Sequence, residues 1–71
     1  MEIITLKNGL KFVILAQLEL NNDKYLYLSS YDDNITIIFA KVNDDKTIEP
    51  ISDGETIVKL LQLIEEQKKD N

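Results

Sequence analysis

Residues 2–51 divide into five extended stretches, the clearest of which alternate with period two, the spacing of a strand whose side chains point to opposite faces. From residue 53 onward the spacing becomes helical. Residues 2–6 form a first expected strand. Residues 10–20 form the longest, with Leu10, Phe12, Ile14, Ala16, Leu18 and Leu20 on one face and Lys11, Val13, Leu15, Gln17 and Glu19 on the other. The even-numbered face is thereby the expected core face. In 24–30, Leu26 and Leu28 share one face while Tyr25 and Tyr27 share the other. Residues 35–42 are apolar on both faces, as a central strand requires. Residues 47–51 include Pro50, which cannot donate to a ladder, so this strand is expected to lie at an edge or to end there.

Polar clusters separate these stretches. Asn8-Gly9 is the pair that supplies the positive φ angles of a tight hairpin turn. Asn21-Asn22-Asp23, Tyr31-Asp32-Asp33-Asn34 and Asn43-Asp44-Asp45-Lys46 mark the other turns, because Asn and Asp bond their own backbone there. In the helix, expected over 53–68, Ile57, Leu60, Leu61 and Ile64 fall on one stripe, flanked by Val58. Ser52 and Glu55 have the spacing of a capping box. Asp53 and Glu55 suit the positive end of the helix dipole, Lys68 and Lys69 the negative end, and Asp70 and Asn71 are expected to fray.

Turns this short require antiparallel neighbours, since parallel pairing needs long crossovers. The expected fold is therefore α+β: a single domain over 1–71, a four- to five-stranded antiparallel meander with one C-terminal helix on one face. That helix is expected to lie across Leu10, Phe12, Ile14, Ala16 and Leu18, leaving Val13, Leu15, Tyr25 and Tyr27 on the far side.

The order of these elements resembles the YrzB-like family of small acidic bacterial proteins of unknown function. The likeness rests on the Asn8-Gly9 hairpin, on Lys24-Tyr25-Leu26-Tyr27-Leu28 with acids behind it, and above all on Ile48-Glu49-Pro50-Ile51 leading through Asp53-Gly54-Glu55 into an amphipathic helix. It covers nearly the whole chain. The resemblance implies a bacterial protein with this succession of elements, and no activity, cofactor or catalytic residue.

Composition narrows the chemistry. Seventy-one residues bury only about 60 % of the surface that the unfolded chain exposes, so stability is thin and a partner would add to it. The chain has no cysteine and no histidine, hence no disulfide, no thiolate zinc site and no imidazole base. Thirteen acids against eight lysines, with no arginine, give a net charge of −5. Such a charge opposes direct nucleic-acid binding and anionic membrane surfaces. The opening residues lack a secretory pattern and no apolar run approaches the roughly 18 to 20 residues that span a bilayer, so a cytoplasmic protein is expected.

Asp32, Asp33, Asp44 and Asp45 could offer oxygen ligands to a cation, but they lack the spacing of a calcium loop and are expected to serve turns. Asp23 could approach Asp44 and Asp45 at one end of the sheet, giving a loose acidic rim, with the Asp32-Asp33 turn at the opposite end. Ser29 and Ser30 have no histidine base and the two glycines cannot build a phosphate-cradling loop. No catalytic residue, metal site or cofactor is expected, and the chain is not expected to be an enzyme. The expected function is a non-catalytic protein-interaction module. Tyrosines are enriched at interfaces, so its contact face is Val13, Leu15, Tyr25 and Tyr27, with a homodimer as the simplest form. The alternative is a phage-type acidic inhibitor or regulator that uses Asp32, Asp33, Asp44 and Asp45 to occupy the basic groove of a nucleic-acid-binding protein.

Overall fold

A computed structural model describes residues 2–33 and 35–68. The expectations for Asn34, Lys69, Asp70 and Asn71 lie outside the described residues. Five strands, β1 (Ile3–Thr5), β2 (Lys11–Leu20), β3 (Asp23–Ser30), β4 (Ile37–Val42) and β5 (Ile48–Pro50), precede one helix, α1 (Gly54–Lys68). The sheet order is β1-β2-β3-β4-β5 and every pairing is antiparallel. This is the α+β meander with a C-terminal helix, and Pro50 stands in an edge strand, where its missing N–H costs no ladder bond.

Turn chemistry is less uniform than the sequence suggests. In the first turn Gly9 N–H donates to the Leu6 carbonyl at 2.9 Å and Leu6 N–H to the Leu10 carbonyl at 2.9 Å. Only Gly9 has positive φ, at 85°, while Asn8 Oδ1 accepts the Leu10 N–H at 2.9 Å. The turn is thus a three-residue loop closed by a glycine bulge. The expectation that Asn8 shares the positive φ is corrected: its side chain holds the turn instead. Two adjacent positive φ angles occur at Asn21 and Asn22, 53° and 68°, which turn β2 directly into β3. Between β4 and β5 the first pattern recurs, with Asn43 N–H to Thr47 O at 2.8 Å and Lys46 N–H to Asn43 O at 2.9 Å. Lys46, at φ 71°, occupies the place Gly9 has in the first turn.

The largest departure lies within β2. Ile14 pairs with Leu28 but Ala16 with Tyr27, so Leu15 is an extra residue, a β-bulge. One inserted residue reverses the facing of everything after it. Phe12 and Ile14 therefore lie with Leu26 and Leu28, whereas Leu18 and Leu20 lie with Tyr25. The even-numbered residues divide between two faces rather than forming one.

Each face has its own core. Leu6, Phe12, Leu26, Leu28 and Ala40, with Ile4, Ile14, Ile38, Val42 and Ile48 against them, draw on the whole span from β1 to β5, so the sheet curls over this face. The outer face carries Leu18, Tyr25 and Phe39, on which Leu60 and Ile64 of α1 pack, with Tyr27, Ile51, Ile57 and Leu63 around them. The helix thus covers the tyrosine face. The expectation that it crosses Leu10, Phe12 and Ile14 is corrected, because the bulge moves Leu18 away from that set while curling buries Phe12 without help; Leu10 is exposed. The helix is also rolled so that Leu63 packs while Leu61 faces outward.

The helix begins one residue later than a Ser52 cap would place it. Asp53 Oδ2 accepts the Thr56 N–H at 3.3 Å and the Thr56 hydroxyl at 2.5 Å, and the Asp53 carbonyl accepts the Ile57 N–H at 3.0 Å. Asp53 is the N-cap, and Glu55 forms an exposed pair with Lys59 at 3.9 Å instead of reaching back to Ser52. The Thr56 hydroxyl, then the Thr56 amide, hold the Asp53 carboxyl below its ordinary value.

Two expectations follow for stability. Asp53→Ala lowers Tm by about 5 °C in a calorimetric scan whereas Ser52→Ala leaves it nearly unchanged; equal effects would return the cap to Ser52. Lys46→Gly and Asn22→Gly each relieve a left-handed backbone carrying a side chain and raise stability by up to about 1 kcal/mol in urea titrations, the gain being limited by glycine's greater entropy when unfolded. A decrease in both would contradict the turn geometry.

Candidate functional site

The bulge breaks up the contact face that the alternation suggests. Tyr25 is 8 % exposed, sealed by Leu18 and α1, and Tyr27 stacks on Phe39 with ring centroids 5.0 Å apart and planes 29° from parallel. Tyr27 and Phe39 are direct cross-strand partners, a pairing that stabilises a sheet face by aromatic contact. Tyr25 therefore presents no free surface, and Tyr27 is half-buried against the same cluster. Val13 is half-buried and Leu15, at the bulge, is 50 % exposed.

Beside Val13 the structure assembles a row that sequence reading missed. Ile3, Val13, Ser29 and Ile37 are successive register partners across β1, β2, β3 and β4. Ile3 and Ile37 are both exposed, and the chain entering β4 adds Ile35, 81 % exposed. Ile3, Val13 and Ile37 stand on the outer face without belonging to either core, and Ile35 is exposed next to them in the chain. The available signal is Ile35-Thr36-Ile37, an apolar pair at a strand's start, which a both-faces-apolar pattern places in the interior of a central strand.

A second feature follows from unequal strand lengths. The last contact of β1 with β2 is Ile14 N–H to the Glu2 carbonyl at 3.0 Å, so among the described residues nothing pairs with that side of β2 from Leu15 to Leu20. At this end the curled sheet opens into a hollow of about 510 Å³ whose lining includes Ile14, Gln17, Glu19, Lys24, Leu26 and Val42. The sequence carried a sign of it, since a first strand over 2–6 cannot cover a second over 10–20.

The acidic candidates divide into two kinds. Asp33 Oδ1 accepts the N–H groups of Ile35 at 2.9 Å and Thr36 at 3.2 Å, and Oδ2 the Thr36 hydroxyl at 3.2 Å. The Ile35 and Thr36 amides hold its carboxyl below the ordinary range. Asp45 Oδ1 accepts the Thr47 hydroxyl at 2.6 Å and amide at 3.0 Å, with the same effect on its carboxyl, and the charge of Lys7 adds to it. Asn43 Nδ2 donates to Thr47 Oγ1 at 3.0 Å and to Glu49 Oε1 at 2.7 Å, tying that turn to β5. Asp32 and Asp44 are exposed. The two pairs flank opposite ends of β4, which at about 3.3 Å per residue separates them by roughly 20 Å. Asp23 and Asp44 do share a shallow hollow, together with Lys24 and Lys46, and Asp23 pairs with Lys41 at 3.8 Å. Among the described residues no three acidic side chains converge as a cation site would need, and no helix is long and apolar enough to cross a membrane.

No family model matches the chain, and no curated protein or solved structure matches it either.

The divided roles of the aspartates predict a divided response. Asp33→Asn and Asp45→Asn lower the urea midpoint near neutral pH, and Asp32→Asn and Asp44→Asn leave it unchanged. Each bonded carboxyl titrates lower when folded than its ordinary 3.8, so its contribution is complete above that value and is lost as pH falls through and below it. The wild type therefore loses stability between about pH 4 and pH 2 more steeply than the doubly substituted Asp33→Asn/Asp45→Asn protein; parallel pH profiles would refute the assignment.

Proposed function

We propose that the protein is a non-catalytic protein-interaction module working in the cytoplasm. The observation that carries this reading is the uncovered apolar row of Ile3, Val13 and Ile37 with Leu15 and Ile35 beside it, since contiguous exposed apolar groups mark interaction sites. A 71-residue chain also gains stability when a partner covers such a row. Membership of the YrzB-like family belongs to the same proposal, supported by the order of strands and by the passage from Ile48–Pro50 through Asp53 into α1.

The second reading, an acidic regulator seated in the basic groove of a nucleic-acid-binding protein, draws on the charge of −5 and on the exposed Asp32 and Asp44. It stands second because Asp33 and Asp45 are bonded within their own turns. Affinity capture from the source cells separates the two. The module reading expects a partner retained in about 0.5 M salt, where exposed charges more than a few ångströms apart are screened, and lost by a folded Ile35→Ser/Ile37→Ser variant. Retention by that variant, with loss on adding salt or on Asp32→Lys/Asp44→Lys, would transfer the assignment to the acidic regulator. Sedimentation of the purified protein decides whether the partner is a second copy.

A further inference from the structure

We infer that the open side of β2 binds an extended peptide segment of another protein, with an aliphatic side chain entering the hollow and lysine or arginine beside it. The surface is distinct from the apolar row around Ile37, so the inference goes beyond the reading above and can fail without it.

The argument begins with the direction of the main chain. Leu20 and Asp23 are the register partners that flank the two-residue turn, so Leu20 directs its N–H and carbonyl toward β3. By alternation Leu18 does the same, and Gln17 and Glu19 direct theirs away from β3. Among the described residues no backbone group is bonded to them on that side. A solvated pair of donors and acceptors of this kind is what an added strand recognises in β-augmentation.

The hollow supplies what the backbone alone lacks, a place for a side chain. A peptide residue paired with Gln17 or Glu19 points its side chain to the same face as theirs. That is the inner face, since Gln17 pairs with Leu26 and Glu19 with Lys24, next to Val42. Ile14, Leu26 and Val42 make the apolar floor, and about 510 Å³ is ample for one or two aliphatic side chains. The rim charges Glu19 and Lys24 oppose one another, so the sign of the peptide is set by the whole molecule. At −5 the protein attracts a cationic segment and repels a second copy of itself.

The test uses 15N-labelled full-length protein and the peptide acetyl-Lys-Val-Lys-Val-Lys-amide, with an otherwise identical peptide N-methylated at both valines. Sedimentation first establishes whether free protein self-associates. The expected result is a saturable titration with Kd below about 1 mM, shifts centred on the amides of Gln17 and Glu19, and amide exchange there slowed at least tenfold. The N-methylated peptide binds at least tenfold more weakly. No protein residue is altered, so a folding failure cannot imitate the result. Equal binding of both peptides, no saturable binding, or self-association protecting the same two amides would each overturn the inference. Shifts confined to Ile35 and Ile37 would overturn it while leaving the interaction-module reading in place.

Discussion

The extra residue at Leu15 is the constraint from which the rest of the architecture follows. A ten-residue strand with strict alternation buries one face and exposes the other along its whole length. With one residue added, β2 gives Phe12 and Ile14 to the inner face and Leu18 and Leu20 to the outer. A bulge also bends its strand and increases local twist, which suits a sheet that must curl far enough to bury Leu28 and Ala40 completely. Both layers of the protein thus depend on one irregularity.

Two thin cores rather than one thick core is a demanding arrangement for a short chain without disulfides. Each large aliphatic or aromatic side chain fully buried contributes roughly 1.5–3 kcal/mol, and the sheet uses both of its faces to collect enough of them. The inner face needs no helix, because strands from β1 to β5 cover it together. The outer face needs one, and α1 supplies Leu60 and Ile64 over Leu18, Tyr25 and Phe39. The exposed ion pairs Lys41–Asp23 and Lys59–Glu55 add little, being solvated. The bonded aspartates matter more, since Asp33, Asp45 and Asp53 each satisfy amides that no ladder reaches.

The succession of five strands and a helix was legible because period two and period 3.6 each leave a plain trace in Ile, Leu, Val and Phe positions. Turn positions were legible for the same reason, but turn types were not: φ at Asn8 and Asn22 depends on how many residues the flanking ladders leave free, which the Asn-Gly or Asn-Asn pair alone does not specify. Ser52 and Asp53 are both good N-cap residues, so residue type alone does not choose between them; the bonds from the Thr56 amide and hydroxyl fall on Asp53. The bulge left only an ambiguous trace. Val13-Ile14-Leu15-Ala16 is apolar at odd and even positions alike, so the even-numbered pattern could be continued straight through it, and with it the false placement of Tyr25 and Tyr27 on an open face.

The two sides of the sheet are finished differently, and the difference bears on function. At one edge β5 is three residues long and contains Pro50, and its chain turns at once into α1. At the other, β1 is also short, but it stops halfway along β2 and leaves main chain uncovered. Edges of this kind are commonly guarded by proline, lysine or inward-pointing charge. Here the guards are Gln17 and Glu19, which with Lys24 place polar groups on an inner face that is mostly apolar. Gln17, Glu19 and Lys24 are exposed, and the inner core ends where they stand. A polar mouth over an apolar floor of Ile14, Leu26 and Val42 discourages collapse and indiscriminate pairing, yet it accepts a strand that satisfies the backbone of Gln17 and Glu19 while covering that floor.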